Sequence, residues 1–421
     1  MQYRVQNLTV HKFGGASVKD ADAVRNVESI LQNCLFSPAV VVVSAMGKTT
    51  NKLEQVFSTL VSVGFDKALE ELKEIASEHQ MVIDELSIDL DLSDLFVTAL
   101  KKSSQLDDLD AAYDELVASG EDASTKILFA YLSSVNWDVE WRDVRGIIET
   151  DTRHNSARVD ESRLDEMGRS LRLELSESSR KILVTQGFIG KSPSGRTTTL
   201  GREGSDYSAA LLACAVGAEE VVIWKDVPGM LNADPRIFEG TQTVEELDYS
   251  EAIELSYYGA SVIHPRTVKP LQNLGIPLIL RSFMDLNAKQ TRVSSFPGQI
   301  PLLPMYIYRP NVTRLSIGPS DQSFVGEDHL TSVFGALDDA GIHVRMMQNS
   351  AVKFDIIFDS NKDKELKLIE KLGKNVWTKA TRGLELLTVR YGSEELVENL
   401  TAKRGVLMEQ KSPSTVRRLL A

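Results

Sequence analysis

The chain has 421 residues, 42 % hydrophobic and 25 % charged, with a net charge of −13. This excludes a disulfide-stapled mini-protein, a collagen-like chain and a wholly disordered one, and the length predicts two or three domains with cores of their own. The acidic balance argues against nucleic-acid binding through phosphate neutralisation. Seventeen acidic and four basic side chains fall within residues 66–125. Apolar residues are interleaved among them, which reads as a solvated helical face rather than an acidic tail. Cys34 and Cys214 lack a CxxC partner or a nearby His cluster, so neither a disulfide framework nor a zinc site is expected. The start of the chain lacks the apolar core of a signal peptide, and the run from Pro38 to Met46 is too short to cross a bilayer. A soluble, cytoplasmic protein is expected.

Residues 8–13 read as a strand ending at Gly14-Gly15, and residues 21–32 as a helix with Val24, Val27, Ile30 and Leu31 on one face. Residues 39–43 form a continuous Ala-Val run, the mark of a strand buried on both faces. Further buried strands are expected at 181–185, 220–224 and 276–280, with helices between them. This alternation predicts an α/β fold with a mainly parallel sheet. Residues 66–140 interrupt it with three helical segments, 70–86, 93–103 and 106–118, read as a helical insertion. Four prolines, Pro297, Pro301, Pro304 and Pro310, predict a linker over 296–312. Beyond it, strands at 312–317, 342–347, 351–358, 385–390 and 406–410, helices at 328–340, 364–372 and 393–403, and a last element at 415–420 predict two small α+β modules. The expected domains are 1–300 and 301–421.

Four segments could carry chemistry. Lys12 and the Gly14-Gly15 turn stand at a strand's C-terminal end, where backbone N–H groups can line an anion site. Gly47-Lys48-Thr49 imitates the end of a P-loop, but the glycine that motif needs five residues earlier is Val42, so a Walker A site is rejected. The surrounding hydroxyl-rich loop still sits where open α/β sheets bind ligands. The strongest signal runs from Gln186 to Asp206, with five glycines in a polar loop read as mobile. Arg202, Ser205 and Asp206 stand where it meets a helix, with Ser205 as the expected cap and Asp206 facing a ligand. Trp224 to Gly229, followed by Asp234-Pro235-Arg236, reads alone equally well as a structural turn.

In this order, these segments resemble the aspartate kinases of the amino-acid kinase superfamily. The resemblance rests on KFGGASV from Lys12, VVSAMGKTTN ending at Asn51, SGEDAST around Glu121, GFIG…TTTLGREGSDYSAA from Gly187 to Ala210, KDVPGMLNADPR from Lys225 to Arg236, YYGASVIHPRTV from Tyr257 to Val268, and Arg281-Ser282-Phe283. It covers about residues 5–300. It implies an α/β/α sandwich with a mainly parallel sheet, plus tandem ACT-like modules at the C-terminal end. The implied reaction moves the γ-phosphoryl of Mg-ATP to the β-carboxylate of L-aspartate, the first step towards lysine, threonine and methionine. The nucleophile is already a carboxylate, so no general base is required.

By resemblance, Lys12 stabilises the transferring phosphoryl group and Gly14 and Gly15 donate to it. Arg202 clamps the α-carboxylate of aspartate and Glu121 pairs with its α-ammonium. Without the resemblance, Glu121 reads as a helix-start carboxylate favouring the local dipole. Ser44, Thr50 and Ser205 hydrogen-bond the substrate, Asp206 orients the catalytic lysine, and Lys225, Asp226, Arg236 and Ser261 face ATP. Mg²⁺ is held mainly by the nucleotide phosphates, with no protein metal ligand expected. The resemblance also implies a homodimer or higher homo-oligomer built through the ACT modules.

The chain departs from the family pattern at three positions. Ser261 stands where many members have Lys, and Lys225 or Arg266 are the candidates to replace that charge. Ala16 stands where Thr is common. Glu203 stands where Gly is common and is expected to point away from the substrate. In the ACT-like region the resemblance places Arg345 and Ala351 where lysine-inhibited relatives carry acidic side chains, while Asn349 and Ser350 keep polar character at the expected effector site. Arg345 would repel a lysine ammonium, so lysine inhibition is expected to be weak or absent, with threonine or no effector as alternatives; a pure dimerisation surface fits equally. Two rival functions stay open: a kinase for glutamate or N-acetylglutamate, disfavoured by Arg202 with Glu121, and an inactive amino-acid sensor, disfavoured by the presence of Lys12, Arg202, Ser205 and Asp206. No G-x-G-x-x-G occurs, so an attached dehydrogenase is not expected.

Overall fold

The structure, a computed structural model, describes residues 8–35, 37–177, 181–259, 263–296, 303–321, 323–373 and 375–421. Ser261 lies outside them, as do residues 297–302 of the expected linker. The chain divides into two compact units, Met1–Met230 with Thr243–Ser256 and Ser261–Ile300, and Leu231–Gln242 with Tyr257–Ala260 and Pro301–Ala421.

The first unit runs β1 (Thr9–Phe13), α1 (Ala21–Cys34), β2 (Ala39–Val43), α2 (Thr49–Ser62), α3 (Phe65–Leu86), α4 (Leu95–Ser104), α5 (Leu109–Ser134), β3 (Val139–Trp141), α6 (Glu161–Ser176), β4 (Ile182–Gln186), β5 (Ile189–Lys191), β6 (Thr197–Thr199), α7 (Gly204–Val216), β7 (Glu220–Lys225), β8 (Glu246–Asp248), α8 (Tyr249–Tyr258), α9 (Pro265–Leu274), β9 (Leu278–Ser282) and β10 (Thr291–Ser294). Eight strands form one sheet in the order β3-β4-β2-β1-β7-β9-β10-β8. Every pairing is parallel except β9 with β10. The register aligns Phe13 with Val43 and Trp224, and Val43 with Gln186, so four central strands end level at one edge. The chain leaves β1 towards β2 and β4 on one side and later returns to β7 on the other. That reversal makes the carboxyl edge of β1 a natural binding crevice.

Burial on both faces explains the near-continuous apolar character of β2 and β4. His11 on β1 is buried, and its Nδ1 accepts from the Trp224 indole N–H at 3.2 Å, leaving the Nε2 proton for Thr9 Oγ1 at 3.1 Å. Burial, reinforced by the Arg281 charge, pushes His11 down to about 3, so it is a neutral tie between β1 and β7.

The three helical segments expected over 66–140 are present as α3, α4 and α5. Helix α5 runs well past Ala118, where the helical segment was expected to end. Ser119-Gly120 reads as a stop, yet a side chain at Gly120 would meet Ala45 Cβ at 2.9 Å, so the glycine serves close packing. Fifteen of the 26 residues of α5 are buried, which removes the amphipathic stripe that marks a surface helix.

In the second unit β11 (Met305–Pro319), α10 (Glu327–Asp339), β12 (Val344–Asn349), β13 (Phe354–Asp359), α11 (Lys362–Leu372), β14 (Val376–Arg390), α12 (Glu394–Thr401), β15 (Val406–Ser412) and β16 (Thr415–Leu420) follow in turn. The strands make a single antiparallel sheet in the order β12-β13-β11-β14-β16-β15. The two expected α+β modules therefore share one sheet through the long central pair β11 and β14. Pro304 and Pro310 were expected in a linker. Instead Pro304 directly precedes β11, and Pro310 lies inside it at a register shift between Arg309 and Val312, where Asn311 takes φ 56°. A bulge is the position where a strand tolerates proline. No helix among the described residues is long and apolar enough to cross a membrane.

Candidate active site

A cavity of about 900 Å³ opens in the first unit, at the carboxyl edge of the sheet. Its walls include Lys12, Ser44, Thr50, Glu121, Arg202, Ser205, Asp206 and Lys225. Eight of the residues singled out in the sequence are thus brought together by four separate strand ends and three helices. Gly14 stands beside the lysine, since a Cβ there would lie 3.3 Å from Lys12 Nζ. A Cβ at Gly15 would lie 2.6 Å from the Gly47 carbonyl oxygen, so that turn admits no side chain.

The electrostatic centre is a carboxylate between two ammonium groups. Asp206, in the first turn of α7, lies 2.6 Å from Lys12 Nζ through Oδ1, an ion pair whose alignment is not that of a hydrogen bond. Lys225 Nζ donates to Oδ2 at 3.0 Å. Burial alone would raise the Asp206 carboxyl. The two lysines outweigh it and hold the group down to about 2. Asp206 is therefore ionised across the working range, and its lysines occupy both oxygens.

Glu121 lies in the middle of α5, which sets aside the helix-start reading. Its side chain is 3 % exposed. Oε1 accepts from the Ala45 N–H at 3.2 Å, while Oε2 is buried with no hydrogen-bond partner among the described residues. Burial pushes the carboxyl up to about 8, against the pull of the Ala45 N–H and Lys12. Nearby, Ser124 Oγ donates to the Ser44 carbonyl at 2.7 Å and ties α5 to the loop after β2.

Several expectations change. Ser205 does not cap α7. The cap position is Glu203, with φ 54°, and Ser205 falls inside the first turn. Glu203, expected to point away from the substrate, stands among the residues around the cavity, and its Oε2 is buried with no hydrogen-bond partner among the described residues. Four of the five glycines from 187 to 204 are packed rather than loose, Gly195 being the open one: a Cβ at Gly187 would meet Ser205 Cβ at 2.5 Å, and one at Gly190 the Ile148 carbonyl at 2.9 Å. Of the two candidates to replace the charge missing at Ser261, Lys225 lines the cavity. Arg266 instead donates to the Leu200 carbonyl and lies over the Tyr207 ring. Asp226 is exposed and is not among the cavity walls. Arg236 belongs to the second unit, where it pairs with Asp234 at 2.7 Å. Arg345 is bound to Asp359 at 2.7 Å, Asn349 ends β12 exposed, and Ser350 closes a turn with Lys353.

The cavity also has walls that sequence reasoning missed. Tyr113 donates to Glu54 Oε1 at 2.7 Å and meets Phe57 edge-on. Asp110 and Asn155 stand beside them. Helical spacing back from Glu121 was the signal for the residues on α5. Among the described residues no group of three or more His, Cys, Asp or Glu side chains is arranged to hold a metal ion.

The profile of the amino acid kinase family matches residues 7–282. Lysine-sensitive aspartokinase 3 of Escherichia coli is 34 % identical over 85 % of this chain and 79 % of its own. Aspartokinase 2, chloroplastic, of Arabidopsis thaliana is 32 % identical over 87 % of this chain and 69 % of its own. A crystal structure of E. coli aspartokinase III in complex with aspartate and ADP, in the R-state, superposes with a TM-score of 0.82 at 29 % identity, covering 98 % of this chain and 96 % of that one. The chain belongs to the amino acid kinase family. Within that family it stands with the aspartokinases, ATP-dependent phosphotransferases whose acceptor is a carboxyl group.

Proposed function

We propose that the Lys12 cavity is where this aspartokinase passes the γ-phosphoryl of ATP to the β-carboxylate of L-aspartate, giving 4-phospho-L-aspartate. The observation that carries the reading is the pair of lysines on Asp206 beside a buried Glu121, one of whose oxygens has no partner among the described residues. An oxygen of the β-carboxylate attacks the γ-phosphorus, the bond to the bridging oxygen breaks, and ADP leaves with the electron pair. No proton has to move. Asp206 is not a base; it aims Lys12 and Lys225 at the charge on the transferring group. Gly14 and Gly15 let the phosphates approach the backbone. Arg202 takes the α-carboxylate as a planar fork, and Glu121 takes the α-ammonium. Ser44, Thr50 and Ser205 complete the acceptor's hydrogen bonds, and Asp226, next to Lys225, is assigned to the nucleotide. Mg²⁺, held mainly by the ATP phosphates, would supply further positive charge at the transferring group; Asp206, with both oxygens engaged by lysines, is no ready ligand for it.

We assign the second unit to ACT-like regulation and to assembly of a homodimer or higher homo-oligomer. Arg345, Asn349 and Ser350 mark its effector strand. The testing experiment is a coupled ADP-release assay with Mg-ATP and a panel of aspartate, glutamate and N-acetylglutamate, repeated for Lys12→Ala and Arg202→Ala. Turnover on aspartate alone, abolished by the first change and given a raised aspartate KM by the second, is the expected result. Turnover on glutamate or N-acetylglutamate would move the acceptor assignment.

A further inference from the structure

Three consecutive threonines lead into the loop that bears Arg202, and a different group holds each one. Strand alternation sends Thr197 and Thr199 to one face and Thr198 to the other. Arg145 Nε donates to Thr197 Oγ1 at 3.2 Å, and the Thr198 and Thr150 hydroxyls lie 2.7 Å apart. Thr199 is bound twice by Asp114 of α5. Its hydroxyl donates to Oδ1 at 2.6 Å and its backbone N–H to Oδ2 at 3.0 Å. The same carboxylate accepts from the Asn155 N–H at 3.1 Å and from His154 Nδ1 at 2.9 Å. Asp114 is wholly buried, and no step of phosphoryl transfer uses it. Gly201, with φ 76°, closes the turn onto the same Asn155: a Cβ there would lie 3.0 Å from the Asn155 carbonyl. Asp114 and Glu121 are seven residues apart on α5, two turns along one helical face.

We propose that Asp114 is a positioning residue for the acceptor amino acid: by clamping Thr199 and Asn155 to α5, it sets where Arg202 presents its guanidinium relative to Glu121. The proposal rests on the reading that Arg202 binds the acceptor's α-carboxylate. One helix then fixes the spacing of the two groups that read the two charges of an α-amino acid.

The test uses the full chain with Asp114→Ala, Asp114→Asn, Thr199→Val and Arg202→Ala, KM for aspartate and for ATP, and amide hydrogen exchange over residues 199–205. Asp114→Ala should raise KM for aspartate about tenfold or more, the scale of one misdirected charge-assisted contact. KM for ATP should change less than about twofold, and exchange over 199–205 should accelerate. Asp114→Asn should rescue most of this, because an amide oxygen accepts from both backbone N–H groups while its NH₂ donates to the Thr199 hydroxyl. Should Asp114→Ala fail to fold, Thr199→Val carries the test with the same pattern in milder form. Adding Asp114→Ala to Arg202→Ala should raise KM for aspartate no further. Equal rises in both KM values, unchanged exchange, or additive effects would overturn the proposal. Faster exchange in Asp114→Ala with no effect of Arg202→Ala on KM for aspartate would leave the clamp standing and overturn the Arg202 assignment instead.

Discussion

Lys12 and Lys225 are held by the two oxygens of a single carboxylate, Asp206, at 2.6 and 3.0 Å. They come from β1 and the end of β7, which pair in parallel, so strand register brings both ammonium groups to one point. Lys225→Met therefore removes one of two charges aimed at the phosphates. The expected result is a fall in kcat of about tenfold to a hundredfold at saturating aspartate. Initial rates over an ATP titration measure it. An unchanged kcat would show that Lys225 serves only to hold Asp206.

Binding of aspartate should release a proton near neutral pH. Glu121 sits at about 8 in the free enzyme, so it is mostly protonated at pH 7. An α-ammonium favours the ionised form and pulls that value down. Affinity for aspartate should consequently rise with pH up to about 8 and then level off. Calorimetry at pH 7 in buffers of different ionisation enthalpy should report the released proton, and Glu121→Gln should release none.

The same carboxyl sets a pH-dependent cost in stability. Its folded value lies above the ordinary 4.5. The stability present below that ordinary value is lost as pH rises through about 8, because the charged form is disfavoured by burial. Glu121→Gln should match the wild type in acid and exceed it above pH 8 by on the order of a few kcal/mol. Denaturant unfolding at pH 5 and pH 9 tests this; equal gaps at both would refute it. Asp206 has the opposite sign, its contribution being present above its ordinary value of 3.8 and lost as pH falls through about 2.

Glu203 holds a left-handed backbone conformation without the freedom of glycine. Glu203→Gly should stabilise the fold by about 1 kcal/mol, the cost of αL geometry for an L-residue less the entropy of glycine. It also removes a carboxylate from the cavity wall, so KM for aspartate should fall. A raised KM would instead mean that Glu203 helps to bind the acceptor.

Lysine should inhibit weakly or not at all, unlike the lysine-sensitive relative. Asp359 is already paired with Arg345 and lies 3.4 Å from Arg309. An ammonium approaching Arg345 thus meets a cation and an engaged carboxylate. Rates with lysine, threonine or methionine added in turn decide this, and strong lysine inhibition would refute it.

Much of this was legible in the sequence where one residue type has one reason to be there. The valines of β2 could only be a doubly buried strand, and Lys12 with Gly14-Gly15 stood at a strand end. Legibility failed where two causes share a signal. Ser119-Gly120 looks like a helix stop and is a packing contact. Pro310 looks like a linker and is a bulge. Ser205 looks like a cap, because the left-handed turn at Glu203 that displaces it has no marker in a residue that is not glycine. Asp114 was invisible for another reason: its partners lie some 40 and 85 residues away along the chain.

Helix α5 is a single rod of about 39 Å, at 1.5 Å per residue. It bears Asp114, Glu121 and Ser124 together. Inserting one residue between Asp114 and Glu121 would turn everything beyond it by about 100°. The loops flanking α3 and α4 can lengthen at little expense, but the seven-residue interval inside α5 behaves like the pitch of a key, where a single added tooth leaves the rest of the blade facing the wrong way.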